Sequence, residues 1–167
     1  MASVPLTNLH QDFVAQLKSQ HRSTNTILAY GKDIAQFLAH LAKTQEPASD
    51  QITTEDITGF QDSLSAGYTI KSISRKLNSI KTFCRFLEQN GALKDNPATQ
   101  IHSPTLTPSA PRILTKLEYR ALRDAARTDI RLAAVVEFLL QTGLRIGELG
   151  HLQLDDINKD KTTLTIR

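Results

Sequence analysis

The sequence predicts a mainly α-helical fold class, in which a four-helix domain precedes an incomplete α+β domain with one β-hairpin. Apolar residues recur every three or four positions through most of the 167 residues, as they do in amphipathic helices. A proline-rich stretch without this period separates two such regions. β-branched residues gather only at the C-terminal end, where they favour strands.

Three helices are predicted in the first 67 residues. Thr7 is the predicted N-cap of the first helix, Ser23 or Thr24 of the second and Thr53 of the third, and Gly67 marks the end of the third. Each helix has one apolar face. The residues of these faces are Leu9, Phe13 and Leu17, then Ile27, Tyr30, Ile34, Phe37, Leu38 and Leu41, then Ile57, Phe60 and Leu64.

A fourth helix is predicted from about Thr69 to Asn90, where Gly91 stops it as the residue after the C-cap. Four amphipathic helices joined by short loops predict a compact helical bundle, and the fourth helix contributes one apolar stripe to its core. The stripe consists of Ile70, Ile73, Leu77, Ile80, Cys84 and Leu87.

A neighbouring face of this fourth helix is basic. Residues 68–85 contain five lysines or arginines and no acidic residue, although the whole chain has a net charge of only +3. Such a face fits the major groove of double-stranded DNA, where cations and amides meet base edges and phosphates. The alternative is a solvated charged face, but five cations without a compensating acid favour contact with DNA. The candidate DNA-binding residues are Lys71, Arg75, Asn78, Lys81, Thr82 and Arg85.

The middle of the chain is expected to be a linker. Residues 96–111 contain four prolines among serines and threonines, and they have no apolar period. We therefore expect a first domain at residues 1–102, a linker at 103–111 and a second domain at 112–167.

Two helices are predicted at the start of the second domain. Thr115 is the N-cap of the first. The second runs from Asp129 or Ile130 to Gln141, and its strongly apolar composition predicts that it is buried. Gly143 ends this helix.

A short helix at residues 144–149 and a β-hairpin complete the predicted elements. In the hairpin, Ile157 belongs to one strand, residues 158–161 form the turn and residues 162–167 form the other strand. Two strands alone are marginally stable, and the second ends with the sequence. We therefore expect the second domain to be incomplete.

Arg145 is the main candidate for catalysis, because a planar guanidinium can hold a phosphate through two hydrogen bonds. It directly follows the Gly-Leu pair at 143–144. Glu148 lies three residues further on the same face, where its carboxylate could orient the guanidinium. An ordinary surface ion pair between the two residues is the alternative, and spacing alone favours it.

Other kinds of site find little support in the sequence. A single cysteine, Cys84, excludes a disulfide framework, and the five histidines lack metal-ligand spacing. No glycine-rich phosphate loop is present, and Asp155 and Asp156 have no third acidic partner for a two-metal site. We expect neither a cofactor nor a metal. Without an apolar stretch of about 20 residues or a signal peptide, a cytoplasmic protein without membrane contact is expected.

Several segments together resemble one known family. In the first domain they are Ser23-x-x-Thr26-x-x-x-Tyr30-x-x-Asp33-Ile34-x-x-Phe37, Thr69-Ile70, Arg75-Lys-Leu-Asn-Ser-Ile-Lys-Thr-Phe83 and Asn96-Pro97-Ala98. In the second they are Pro111-Arg-Ile-Leu-Thr115-x-x-Glu118 and Thr142-Gly-Leu-Arg-Ile-Gly-Glu-Leu149. With this pattern the chain resembles the tyrosine recombinases of the phage integrase family, and most closely the Xer-type or transposon-borne members.

The resemblance implies a SAM-like core-binding domain followed by the beginning of a catalytic domain. It implies that Arg145 is the first catalytic arginine, which binds the scissile phosphate, and that Glu148 is the supporting acid. It also implies that the fourth helix enters the major groove. The implied partners are double-stranded DNA and other recombinase protomers, as dimers or tetramers. Neither metal nor ATP is implied in the cutting and rejoining of DNA.

Other catalytic elements of the family have no counterpart in the sequence. These are a lysine in a β-turn, a His-x-x-Arg helix and a tyrosine nucleophile, since Tyr30, Tyr68 and Tyr119 all precede Arg145. We therefore expect the DNA-binding portion of a site-specific recombinase, which binds DNA without cleaving it on its own. A stand-alone DNA-binding regulator derived from a recombinase is the alternative. A helical protein-interaction module is a more distant one.

Overall fold

The computed structural model describes residues 6–43, 52–105, 110–158 and 163–166, and in these ranges it confirms a mainly α-helical fold. The chain divides into two compact units, Met1–Pro108 and Ser109–Arg167. None of the described helices is long and apolar enough to cross a bilayer. The α-helices are α1 Leu6–Ser19, α2 Thr24–Leu41, α3 Thr54–Leu64, α4 Ile70–Gln89, α5 Lys116–Ala126, α6 Ile130–Thr142 and α7 Ile146–His151.

The helices of the first unit begin at polar caps. The hydroxyls of Ser23 and Thr53 each accept a hydrogen bond from the backbone N–H three residues further on, at 3.2 Å in both cases. These two predicted caps are confirmed. The prediction of Thr7 as the first N-cap is wrong, because α1 already includes Leu6. Leu6 is buried and extends the apolar stripe of α1 by one residue beyond the predicted start.

The core of the first unit is built around α4, against which α1, α2 and α3 all pack. Phe83 of α4 meets Phe13 of α1 edge to face, with ring centroids 5.2 Å apart. The predicted stripe of α4 is buried except for Ile70, which is 57% exposed. Ile70 is the first residue of α4, so it lies at the end of the packed stripe.

The second unit is far less buried than its sequence predicts. No residue of α6 is buried, and Ile130 is 89% exposed, so the prediction of a buried helix is wrong. The physical reason is that, among the described elements, α5 alone packs substantially against α6. That contact includes an ion pair between Arg123 of α5 and Glu137 of α6, at 2.7 Å. A helix that is apolar all round needs cover on several sides.

The end of α6 follows the prediction. Gly143 has a φ of +69°, a left-handed conformation that glycine adopts without steric cost, and its N–H donates to the Leu139 carbonyl at 2.9 Å. The predicted helix at residues 144–149 corresponds to α7, which begins two residues later, at Ile146.

The predicted β-hairpin is not confirmed. Ile157 and Leu164 form an isolated antiparallel bridge, supported by a hydrogen bond from the Thr165 N–H to the Asp156 carbonyl at 2.9 Å. A turn of 3-10 helix at Leu154–Asp156 precedes the bridge. The predicted turn lies mostly in residues 159–162, outside the described residues.

Candidate nucleic-acid interface

Four of the five basic residues of α4 lie on its exposed side or at the edge of it. Nine of the 20 residues of this helix are buried. Steps of four and three residues connect Lys71, Arg75, Asn78, Thr82 and Arg85. These steps keep the five side chains on one side of the helix, because seven residues make nearly two turns. Four of the six candidates are exposed (Lys71, Arg75, Asn78 and Arg85) and two are half-buried (Lys81 and Thr82). We call these six residues the donor ridge.

The donor ridge has dimensions that match duplex DNA. From residue 71 to residue 85 a helix rises about 21 Å, at 1.5 Å per residue. The major groove of B-DNA is about 12 Å wide and admits an α-helix. The ridge is therefore long enough for its two ends to reach separate phosphates while its middle meets base edges.

Most donors of the ridge are available to a ligand. The side chains of Lys71, Asn78 and Arg85 have no hydrogen-bond or ion-pair partner among the described residues. The Lys81 ammonium contacts the Ser103 hydroxyl at 3.4 Å. The Thr82 hydroxyl donates its proton to the Asn78 carbonyl at 2.8 Å, so only its oxygen lone pairs remain for a ligand.

Arg75 differs from the other cations of the ridge. Both terminal nitrogens of its guanidinium donate to the Asp33 carboxylate of α2, Nη1 to Oδ2 and Nη2 to Oδ1, the latter at 3.1 Å. Asp33 is 2% exposed, whereas the Arg75 side chain remains 47% exposed. The sequence contained one signal of this pair, since Asp33 is a charged residue within the buried face of α2.

Lys76 lies next to Arg75 in the sequence but not on the surface. Its buried ammonium donates to Asp33 Oδ1 at 3.0 Å and to Gln36 Oε1 at 2.6 Å, and it lies 4.8 Å from the centre of the Tyr68 ring. The buried Ser79 hydroxyl donates to Asp33 Oδ2 at 2.8 Å. Of the five basic residues in 68–85, Lys76 is thus the one that α4 turns inward.

A polar groove between the C-terminal part of α1 and α4 adjoins the ridge. Phe13, Leu17 and Phe86 contribute apolar surface to it. Glutamines and two arginines supply further donors beside the C-terminal half of the ridge. These polar residues are Gln16, Gln20, Arg22, Thr82, Arg85 and Gln89.

The second candidate site is the pair Arg145 and Glu148, at the start of α7. The Arg145 guanidinium donates to Glu148 Oε1 at 2.7 Å, and the Arg145 backbone N–H donates to Oε2 at 2.8 Å. The backbone hydrogen bond, followed by that of the guanidinium, lowers the pKa of Glu148 below its ordinary value. The Arg145 side chain is 85% exposed, so it is held at one edge and open to solvent elsewhere.

Two further kinds of site, a metal centre and a reactive thiol, have no candidate among the described residues. No three His, Cys, Asp or Glu side chains there lie close enough together to hold a metal ion. Burial raises the pKa of the Cys84 thiol to about 12, so this sulfur is protonated at neutral pH.

Two family comparisons cover most of the chain. Residues 11–91 match the family described as "Phage integrase, N-terminal SAM-like domain", and residues 112–167 match "Phage integrase family". Among curated proteins, the chain is similar to the tyrosine recombinase XerD of Rickettsia conorii, with 32% identity over 90% of this chain and 53% of the relative. It is equally similar to XerC of Leptospira interrogans, with 32% identity over 99% of this chain and 56% of the relative. The chain thus spans about half the length of these relatives.

Solved structures show the same fold. A lambda integrase tetramer bound to a Holliday junction matches with a TM-score of 0.77 and 21% identity, over 94% of this chain and 46% of that one. The integrase of the transposon Tn1549, in complex with circular intermediate DNA, matches with a TM-score of 0.64 and 19% identity, over 95% and 53%.

Proposed function

We propose, from the premise that the chain belongs to the phage integrase family of tyrosine recombinases, that it binds double-stranded DNA through the donor ridge of α4. One observation carries this proposal. The exposed side of α4 presents four cations and one amide from Lys71 to Arg85, with no acidic residue in that stretch. A solvated face has no physical requirement for such one-sided charge.

The residue types of the ridge suit contacts with DNA phosphates at some positions and with base edges at others. Lysine and arginine bind phosphate oxygens or the O6 and N7 atoms of guanine, and an asparagine pairs with adenine through N6 and N7. Asn78 lies midway along the ridge, between cations on both sides, which suits a base contact flanked by phosphate contacts. Lys71 and Arg85, at the ends, suit the phosphates.

The two units divide this function. We assign DNA binding to a SAM-like core-binding domain at residues 1–102, a linker to residues 103–111 and the first part of a catalytic domain to residues 112–167. The division of the chain into compact units after Pro108 supports this assignment, because it falls within the proposed linker. With DNA as its partner, the cytoplasm is the compartment that we propose.

Arg145 and Glu148 belong to the catalytic part of the proposal. Arg145 binds the scissile phosphate, and Glu148 holds the guanidinium in place for it. The support is geometric, since the ion pair uses Nη1 and leaves the other guanidinium donors of an 85% exposed side chain for the phosphate. The alternative is that Arg145 and Glu148 form an ordinary surface ion pair with no part in catalysis.

The whole protein is proposed to cut and rejoin DNA at specific sites through a phosphotyrosine intermediate. Other recombinase protomers on the same DNA are its proposed partners, as dimers or tetramers. Support comes from the family and from the lambda integrase structure, which is a tetramer bound to a Holliday junction.

A second candidate function is DNA binding without catalysis, as in a regulator derived from a recombinase. The donor ridge supports this function equally well, because DNA binding by α4 requires no catalytic residue. A nicked suicide substrate tests whether these 167 residues supply a nucleophile. We expect no covalent protein–DNA adduct, whereas a trapped adduct would require a nucleophile within this chain.

The direct test of DNA binding is fluorescence anisotropy of a labelled duplex across a salt series. If about four phosphates are neutralised, log K falls with log salt at a slope of about −4. Binding that does not change with salt, or no binding at 50 mM salt, would contradict the proposal.

A further inference from the structure

We propose that Asp33 is a positioning residue, which holds the Arg75 guanidinium on the donor ridge so that its remaining N–H groups meet a DNA phosphate. This inference rests on the proposed DNA binding and adds a residue to it that does not itself touch DNA. Asp33 belongs to α2, so the inference also makes α2 part of the DNA-reading arrangement of α4.

The contacts of Asp33 fix the position of Arg75. The carboxylate accepts four hydrogen bonds, two from Arg75, one from Lys76 and one from Ser79. A guanidinium has five N–H donors, so the two-point pairing leaves three of them for a ligand. Because the Arg75 side chain is 47% exposed, a ligand can approach it from solvent.

The charges of this cluster add up to one positive charge at the surface. Asp33 carries one negative charge, and Arg75 and Lys76 carry two positive charges. Lys76 and Asp33 are both buried, and Lys76 is also bound by Gln36 and the Tyr68 ring. The buried pair therefore balances itself, and the surplus cation is the half-exposed Arg75.

Fixing a cation before it binds favours binding. A free arginine loses rotamer freedom when it is immobilised on a ligand, and that loss weakens affinity by roughly two- to tenfold per side chain. Arg75 is already immobilised by the two-point pairing with Asp33. Lys71 and Arg85 have no such partner among the described residues and bear that cost in full.

The sign of one mutational effect separates positioning from simple electrostatics. Replacing Asp33 by asparagine removes a negative charge near the ridge, so Coulomb attraction alone would strengthen DNA binding. Loss of the two-point pairing frees Arg75 and weakens binding. A purely structural role for Asp33 would change stability and leave the affinity of the folded protein unaltered.

The first experiment keeps the buried charges balanced. When Arg75 is present, Lys76→Met serves as the reference and Asp33→Asn is added to it. In the Arg75→Ala background, the reference keeps Lys76 as the counter-ion of Asp33, and Asp33→Asn is introduced together with Lys76→Met, so that no buried charge is left unpaired. Affinity for a labelled duplex is measured by anisotropy, and folding is verified by circular dichroism. We expect Asp33→Asn to weaken binding about three- to tenfold when Arg75 is present and not to weaken it when Arg75→Ala is present. Unchanged or tighter binding with Arg75 present, or equal weakening in both backgrounds, overturns the inference.

A second variant does not depend on a buried substitution. Arg75→Lys keeps the charge but cannot form the two-point pairing, and Arg85→Lys makes the same exchange at a ridge arginine without a carboxylate partner. We expect Arg75→Lys to weaken binding about fivefold at an unchanged salt slope, and Arg85→Lys to weaken it less. Equal effects at the two positions, or none at Arg75, overturn the inference.

Failure of the inference can be distinguished from failure of the proposed function. If the unmodified chain does not bind duplex DNA, the proposed function and the inference about Asp33 are both wrong. If it binds, and binding is lost in Lys71→Glu/Arg85→Glu but indifferent to Arg75→Lys and Asp33→Asn, the ridge stands and only the role of Asp33 is wrong.

Discussion

At the scale of single residues, the buried charge of Asp33 links the stability of the first unit to its proposed function. Four donors from α4 satisfy this carboxylate in the interior of the bundle. A buried ion pair is a weak source of net stability, but removing one partner leaves the other charge buried and unpaired. The cost therefore falls on variants that remove Asp33 alone.

We expect Asp33→Ala to lower the free energy of unfolding by about 3–5 kcal/mol, because Lys76 then lacks its counter-ion. Urea unfolding followed by circular dichroism measures this. The control is Lys32→Ala, at the exposed neighbouring position of α2, which we expect to change the free energy of unfolding by less than about 0.5 kcal/mol. Equal and small effects at both positions would mean that the cluster does not form.

The pH dependence of Glu148 tests the second candidate site. Its pKa in the folded protein is lowered, so the hydrogen bonds at the start of α7 stabilise that helix above the ordinary carboxyl pKa. This contribution is lost as pH falls through the lowered value. We expect the NMR titration midpoint of the Glu148 carboxyl to lie below that of a model peptide. Arg145→Ala is expected to raise the midpoint only in part, because residue 145 keeps its backbone N–H. A midpoint equal to that of the peptide would show that the pair does not form in solution.

Sequence periodicity identified the exposed strip of α4 but not the contacts within it. Steps of three and four residues assign a residue to a face of its own helix, which is why the spacing of the donor ridge was correct. They contain no information about which residue of a distant helix faces it. The pairing of Arg75 with Asp33, 42 positions away, and the inward orientation of Lys76 therefore came from the structure alone.

At the scale of elements, α4 and α6 differ in burial although both are rich in apolar residues. In α4, Leu77, Ile80 and Phe83 are fully buried by three neighbouring helices, whereas α6 is more apolar in composition and has no buried residue. Local composition predicted both helices, and both formed. Burial depends on how many neighbours an element has, and local composition does not determine that number.

This contrast has a measurable consequence in hydrogen exchange. Amides of α4 are expected to exchange only through global unfolding of the first unit, because they lie in its packed centre. Amides of α6 are expected to exchange much faster, through local opening. Exchange followed by mass spectrometry or NMR at pH 7 measures both helices in one sample. Equal protection of α4 and α6 would mean that α6 is covered in solution by surface that the described residues do not supply.

For the other elements too, features that depend on nearby residues were predictable from the sequence, and features that depend on distant residues were not. Caps and helix ends were predictable because they depend on residues within one turn, as at Ser23, Thr53 and Gly143. The β-hairpin depends on pairing across a turn, and only the bridge between Ile157 and Leu164 is present in the described residues. A β-branched composition predicts extended backbone but not how far the pairing continues.

At the scale of the whole molecule, the modest net charge of +3 conceals an uneven distribution. The donor ridge carries four of the 20 lysines and arginines, and all 17 acidic residues lie outside residues 68–85. Such a distribution attracts a polyanion to one face without making the whole protein strongly basic. The central claim is therefore that this face, and not the total charge, binds DNA.

The most direct measurement compares two double variants of equal charge in the anisotropy assay. Lys71→Glu/Arg85→Glu reverses the two unpartnered cations of the ridge, and Lys18→Glu/Lys43→Glu makes the same change in net charge outside α4. Both pairs are exposed, and Arg75 is left intact so that no second carboxylate is placed beside Asp33. We expect the ridge variant to lose at least about 100-fold in affinity and to reduce the salt slope by about 2, with the control within about threefold of the parent chain. Equal losses in the two variants would show that net charge, and not the donor ridge, governs binding, and would contradict the account.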